Sequence, residues 1–484
     1  MTLHDLGYHN NVCLLASYKD IRLTRCLLIH ALEYSIRQHP ALSVQVTSSE
    51  IAKPYFIKLK SINLDEVIEY VDVPEVGDEQ HAWIDDFLSV QHSIGFHDKK
   101  KPLWRVVVLN HRYEDVKVQE TLIGAVDIAF IWHHVIGDGK SGLAVHKSIL
   151  EGFTSTVCAS SYSYLFRRSE ASQEDGGACS PSIIIEPPLN ELFPSLEQIF
   201  TMPASRSTIF NKWLNGVFGS CLPLHLRSRR NLNAKRWSGA PYHDETPIKT
   251  LIRHITIPAS TTSALAKLCR MRGTTITAFL QAFIGRTISR HYDHMCRLRC
   301  ATAISMRRFM ESDLHIGEQE MGLWVSAFHF ELDARELSDT YKKKKRFWEL
   351  ARRNRKRISC EIAKRDTDLG IGGLRFIPDF RQNLKAKIGR KRDDSFAVTN
   401  LGVFDGRLMV NGSYGKMDER PRIEKMIFSQ SCHVNGSALQ FCIMSMMDGQ
   451  MVICVSWQEG TVPVKDTECI ATVLKAELIK IVEE

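Results

Sequence analysis

The stretch IWHHVIGDGKSG, residues 131–142, sets two adjacent histidines at the end of an apolar run and follows them with an aspartate held between glycines. Residues 123–132 read as a strand. From Ser141 onward an apolar stripe at helical spacing (Leu143, Ile149, Leu150, Phe153) predicts a helix, with Ser141 as the expected cap. Strand, exposed turn and helix together deliver side chains to the mouth of a cleft. An imidazole placed there exchanges a proton near neutral pH, as a general base must. Asp138, between Gly137 and Gly139, is expected to turn inward, where a buried carboxylate needs a cation and hydrogen-bond donors. Adjacent histidines on an extended strand face opposite ways, so His133, His134 and Asp138 do not make a zinc shell, and no metal is expected. There is no GxSxG elbow for serine catalysis.

The rest of the chain bounds what this motif can serve. At 484 residues it is too long for one ordinary core, so two domains are expected. Hydrophobic residues at 44% and charged residues at 24% exclude wholesale disorder and a membrane bundle. The net charge of +8 suits an anionic ligand without demanding nucleic acid, and no nucleic-acid partner is expected. Thirteen cysteines, spread from Cys13 to Cys469 with no CxxC pair, read as reduced core thiols. No apolar run is long enough to span a membrane and the first residues lack a signal-peptide pattern, which makes a cytoplasmic protein the expectation.

Periodicity divides the chain into 1–190, a crossover region 191–250, and 251–484. In the first part, residues 22–39 carry a helical stripe ending at Pro40, and residues 104–109 form a second strand. Residues 154–188 turn to serine, glycine and acidic residues and read as a surface insertion. In the last part a strand at 251–258 precedes helices at 260–272 and 274–291. Phe328, Phe330 and Leu332 alternate with polar residues, and Asp448-Gly449 joins two apolar runs as a hairpin. A last helix is expected over 466–482. The basic run from Lys342 to Arg357 is interrupted by Phe347, Trp348 and Leu350, as in a helix with a solvated face; Gly370 to Gly373 read as a flexible loop, not a dinucleotide fingerprint. The whole reads as α/β (α+β), in two halves with substantial sheet in each.

The complete pattern HHxxxDG, His133 to Gly139, resembles the signature of the acyltransferase superfamily that includes chloramphenicol acetyltransferase, peptide-synthetase condensation domains, plant acyltransferases and the fungal alcohol acetyltransferases. RQHPAL at 37–42 and PLWR at 102–105 resemble the superfamily's RxHPxL and PLxR. In the second half, ISMRRF at 304–309, MGLWV at 321–325 and Asn400-Leu401-Gly402 are similar to its arginine segment, its glycine-containing strand start and the NxG of the alcohol acetyltransferases. The plant family's DFGWG is absent.

The resemblance implies a pseudo-dimer of two chloramphenicol-acetyltransferase-like halves with a tunnel at their interface. His134 would be the general base, with His133, Asp138 and Gly139 in the same motif. Asp138 would pair with Arg307, or Arg308 in reserve, and the oxyanion would find donors at the Gly139 turn or Ser429, with Asn400 a further tunnel candidate. Acetyl-CoA would be the co-substrate and a small hydrophobic hydroxyl compound the acceptor, with no bound cofactor, in a chain that acts as a monomer. N-acetylation of an amine, a carrier-protein-dependent condensation and a non-catalytic relic stay open as alternatives. A relic is usually announced by loss of the second histidine or the aspartate, and both are present here.

Overall fold

Residues 12–24 form a thirteen-residue strand whose apolar end is buried without interruption. The computed structural model describes residues 1–483 except 10, 48–53, 75–79, 112–120, 156–182, 204–235, 245–247, 293–296, 311–313, 315 and 409–419. Residues 156–182 of the expected insertion at 154–188 and most of the crossover region therefore lie outside the described residues, while Ile184 and Ile185 pair with Asn63 and Ile62.

The main elements of the first part are β1 (Val12–Thr24), α1 (Arg25–Gln38), β2 (Ile68–Val73), α2 (Gln80–Ser93), β3 (Trp104–His111), β4 (Thr121–Trp132) and α3 (Gly139–Thr154). The second part runs β5 (Thr250–Ile257), α4 (Ala259–Met271), α5 (Ile276–His291), β6 (Leu298–Ser305), β7 (Val325–Leu332), α6 (Ala334–Lys342) and α7 (Lys344–Ala363). It continues with β8 (Phe396–Phe404), β9 (Arg422–Gln430), β10 (Leu439–Met446), β11 (Met451–Gln458) and α8 (Val464–Glu483).

Two sheets carry these elements. The first has the order β9-β1-β4-β3-β2 and the second β7-β6-β8-β10-β11-β5. The first sheet is thus completed by β9, a strand from the far end of the chain that crosses the division at 190 and 251. Val12 pairs with Trp132 on one side and Gln430 on the other, so β1 begins where β4 and β9 end. The hairpin β10–β11 is buried on both faces, which accounts for its near-continuous apolar sequence. Phe441, Ile443, Ile453 and Val455 belong to the core under the second half's helices, while Cys442, Met444, Val452 and Cys454 join the first half's core. Helix α2 ties the halves from another side. Asp85, buried on it, accepts the His254 backbone N–H of edge strand β5 at 3.0 Å, and His254 Nδ1 lies 2.7 Å from the same oxygen.

Several local expectations shift. Residues 22–24 continue β1, because they pair with 121–123; Thr24 then caps α1 by accepting the Leu27 N–H at 3.1 Å. The cap of α3 is Asp138, whose carboxylate accepts the Lys140 and Ser141 N–H groups, and Ser141 lies inside the helix. Gly370 to Gly373 lead into a 3-10 turn, Ile371–Phe376, and are not an open loop. Among the described cysteines all are free thiols, but Cys26, Cys360 and Cys469 are exposed and not in a core. The basic run is largely helix α7, with Phe347, Trp348, Leu350 and Ala351 buried and its arginines toward solvent or carboxylates such as Glu336.

Candidate active site

Strand β4 ends at Trp132, and the next two peptide units turn the chain. His133 N–H donates to Leu103 O at 2.8 Å, and its Nδ1 accepts the Val135 N–H at 2.9 Å. Trp132 Nε1 donates to Gly137 O at 2.9 Å, closing the turn over a fully buried indole. A side chain at Gly139 would press within 2.6 Å of Leu401 and 2.9 Å of Phe428, and one at Gly142 within 2.5 Å of Trp132. Close packing requires glycine at both.

The two histidines diverge. His133 is buried, with its proton held on Nε2 by the Val135 contact, and it borders a cavity of about 220 Å³ together with His4, Gln45, Phe96, His97 and Lys99. Its ring meets His4 edge-on at 4.0 Å. Burial, and then His4, hold its pKa well below the usual imidazole value. His134 points elsewhere, its ring 5.4 Å from that of His9, which in turn lies 4.0 Å from His433. Burial lowers the His134 pKa, opposed by its own and Gly137's carbonyl groups and by Asp138. At neutral pH the ring is therefore an unprotonated base.

Asp138 does different work. Its Oδ2 accepts Arg307 Nη1 at 2.6 Å and the Trp324 N–H at 3.1 Å, while Oδ1 accepts the N–H groups of Lys140 and Ser141. Both charged side chains are buried. The Arg307 guanidinium also donates to Glu320 O at 3.0 Å and stacks 4.8 Å from the Trp324 ring. Ser141 Oγ donates to Gly322 O at 2.9 Å and accepts the Gly322 N–H at 3.1 Å. This network clamps the start of α3, from the first half, to the segments beside β6 and β7, from the second. Arg308, the next residue, is exposed and takes no part.

The remaining candidates occupy other places. Ser429 on β9 is fully buried, its Oγ 2.8 Å from His92 Nε2 on α2; burial pushes that histidine down to about 3. Asn400 donates from Nδ2 to Thr277 Oγ1 at 3.0 Å and accepts the Gly402 N–H at 2.8 Å, holding a bulge of β8 where Gly402 has φ +90°. Its neighbour Leu401 is the residue packed on Gly139. Sequence reasoning placed Trp324 in a family segment without a role and missed His9 and His433. Their signal was positional, since His9 and His433 each sit just beyond a strand that pairs next to the motif. Among the described residues no group of three His, Cys, Asp or Glu side chains is arranged to hold a metal ion, and no helix is long and apolar enough to cross a membrane.

Comparison with known proteins places this geometry. The chain is 25% identical to "Probable alcohol acetyltransferase crmB" of Aspergillus fumigatus over 95% of its length and 93% of that protein. It is 22% identical to "Probable alcohol acetyltransferase FCK4" of Fusarium pseudograminearum, covering 92% and 84%. Its fold matches trichothecene 15-O-acetyltransferase TRI3 from Fusarium sporotrichioides with a TM-score of 0.66 at 14% identity, over 98% of this chain and 91% of that one. The first condensation domain of the calcium-dependent antibiotic synthetase matches with a TM-score of 0.55 at 11% identity, over 99% and 92%. The architecture is thus the two-lobed one of chloramphenicol-acetyltransferase-like enzymes. The family described as alcohol acetyltransferase matches residues 1–483, and the chain belongs to that family of acyltransferases.

Proposed function

We propose that this acyltransferase moves an acetyl group from acetyl-CoA to a hydroxyl of a small hydrophobic acceptor, with His134 as general base. The observation that carries the reading is the division of labour in the motif. Asp138 gives both carboxylate oxygens to Arg307, Trp324 and the α3 cap, which leaves His134 as the neutral imidazole beside the junction of the two halves. His134 takes the proton of the acceptor hydroxyl as its oxygen attacks the thioester carbonyl. The tetrahedral oxyanion then collapses, the carbon–sulfur bond breaks, and His134 returns the proton to the departing thiolate. Donors for the oxyanion are sought at the N-terminal turn of α3, where the Asp138 side chain takes the N–H groups of Lys140 and Ser141 and the Gly139 N–H remains. The Ser429 hydroxyl, the other candidate, is engaged by His92. Acyl-CoA and acceptor would approach His134 from opposite sides of the interface, and because each half supplies one member of the Asp138–Arg307 pair, a single chain holds a complete site.

The test is release of free thiol from acetyl-CoA over a panel of hydroxylated and amino-bearing hydrophobic compounds. Acceptor-dependent release is expected from the wild type and should fall by about 10²-fold or more in a folded His134→Ala variant. Unchanged release in that variant overturns His134 as the base, and a response confined to amines moves the acceptor class.

A further inference from the structure

Strands β9, β1 and β4 lie side by side in the first sheet, and their register brings three strand ends to one end of it: Val12 is paired with Gln430 on one side and Trp132 on the other. Each end carries a histidine just beyond it. His433 follows β9, His9 precedes β1 and His134 follows β4. The pairing therefore gathers three imidazoles from segments more than a hundred residues apart. His9 is the central one, with ring centroids 4.0 Å to His433 and 5.4 Å to His134. It is 5% exposed, and its Nε2 is buried with no hydrogen-bond partner among the described residues. A buried ring nitrogen left unpaired is destabilising, so its retention beside the base calls for a use.

We propose that His9 is a positioning residue for His134: packed between His134 and His433, its ring orients the base and provides the polar neighbour beside which His134 carries the acceptor's proton. This rests on the reading of His134 as general base. The proton passes from the acceptor oxygen to His134 and on to the thiolate, and His9 stays neutral throughout. The groups that face the trio agree with that assignment. Around His9 they are His433, His134, His133 and His92, and around His134 they are Asp138, the Met1 amino group and its own and Gly137's carbonyls. His9 and His433 are pushed down by burial first and then, His9 by His433 and His134, His433 by His134. The proton that enters the cluster during the reaction is the one His134 takes from the acceptor. A neutral imidazole beside it offsets part of the penalty of charging a ring away from water.

The test reads the base directly and needs no acceptor. Carbethoxylation of His134 by diethyl pyrocarbonate, which attacks neutral imidazole, is followed by mass spectrometry of the full-length protein between pH 5 and 8. His9→Met keeps the volume and removes the polar nitrogen; His9→Gln restores a polar group. The wild-type midpoint should lie below the ordinary value of about 6.5, His9→Met should move it further down by about half a pH unit, a roughly threefold change in proton affinity, and His9→Gln should bring it back. A midpoint unmoved or raised in folded His9→Met, or moved equally by both variants, overturns the proposal, because a purely structural residue changes melting temperature and leaves the titration in place. Should His9→Met not fold, His433→Met carries the test from the other side of His9, with the same direction expected and the same unmoved midpoint overturning it. Loss of thiol release in His134→Ala tests the base separately, so the two ideas fail independently.

Discussion

Asp138 accepts hydrogen bonds from four residues, Arg307, Trp324, Lys140 and Ser141, and it is buried while doing so. Its substitution leaves the Arg307 guanidinium charged, desolvated and without its carboxylate. Removing one member of such a pair destabilises by about 3–5 kcal/mol. Asp138→Ala is therefore expected to lower the denaturant midpoint of the whole protein, and a variant as stable as wild type would contradict the clamp. At Arg308 the same substitution should change stability by less than about 0.5 kcal/mol, because that side chain is exposed. The one-residue difference was not visible in the string MRRF, since both arginines fit the family segment; it is set by the turn Arg307–Phe309 that follows β6.

At the scale of elements, α3 matters because its first turn is capped by Asp138 and packs over the ends of β1 and β4. Gly142 faces the Trp132 ring and Leu14, and the indole has no room to move because Nε1 is held by Gly137 O at 2.9 Å. Gly142→Ala would place its Cβ 2.5 Å from Trp132 Cη2. Overpacking of this kind costs about 1–3 kcal/mol, so the variant should melt about 1–3 °C lower, and unaltered melting would show that the indole can shift. The helix itself was readable from its apolar spacing, but its start was not. A serine and an aspartate three residues apart are both good caps, and only the backbone course after β4 decides between them.

Across the whole molecule, two properties follow from how the halves interlock. Residues 1–250 alone lack β9, which leaves the long apolar edge of β1 unpaired. That fragment is expected to aggregate when expressed alone and to become soluble when co-expressed with residues 251–484; a soluble, monomeric fragment would contradict the strand's role. The second property is acid lability. Burial depresses His39 and His146 to about 4 and His92 and His433 to about 3. Below about pH 6.5 the unfolded chain binds protons that the folded one refuses, so stability is full above that value and falls as pH drops, by about 1.4 kcal/mol per pH unit for each such group. Melting temperature should hold from pH 7.5 to about pH 6.5 and then decline to pH 5, and a flat profile throughout would show that these rings titrate normally.

What the amino-acid sequence determined by itself was local. Alternation along 328–332, the Asp448-Gly449 hairpin, the helical stripes and the HHxxxDG string are patterns of neighbouring residues, and each maps onto the element it predicts. The family motifs extended that reading to the pairing of the halves. Tertiary structure alone decided that β9 joins the first sheet, that Ser429 is taken by His92, and that His9 and His433 converge on His134. The physical reason is strand register. Which side chains share an edge depends on pairing between segments hundreds of residues apart, and a shift of one residue would send each of them to the opposite face.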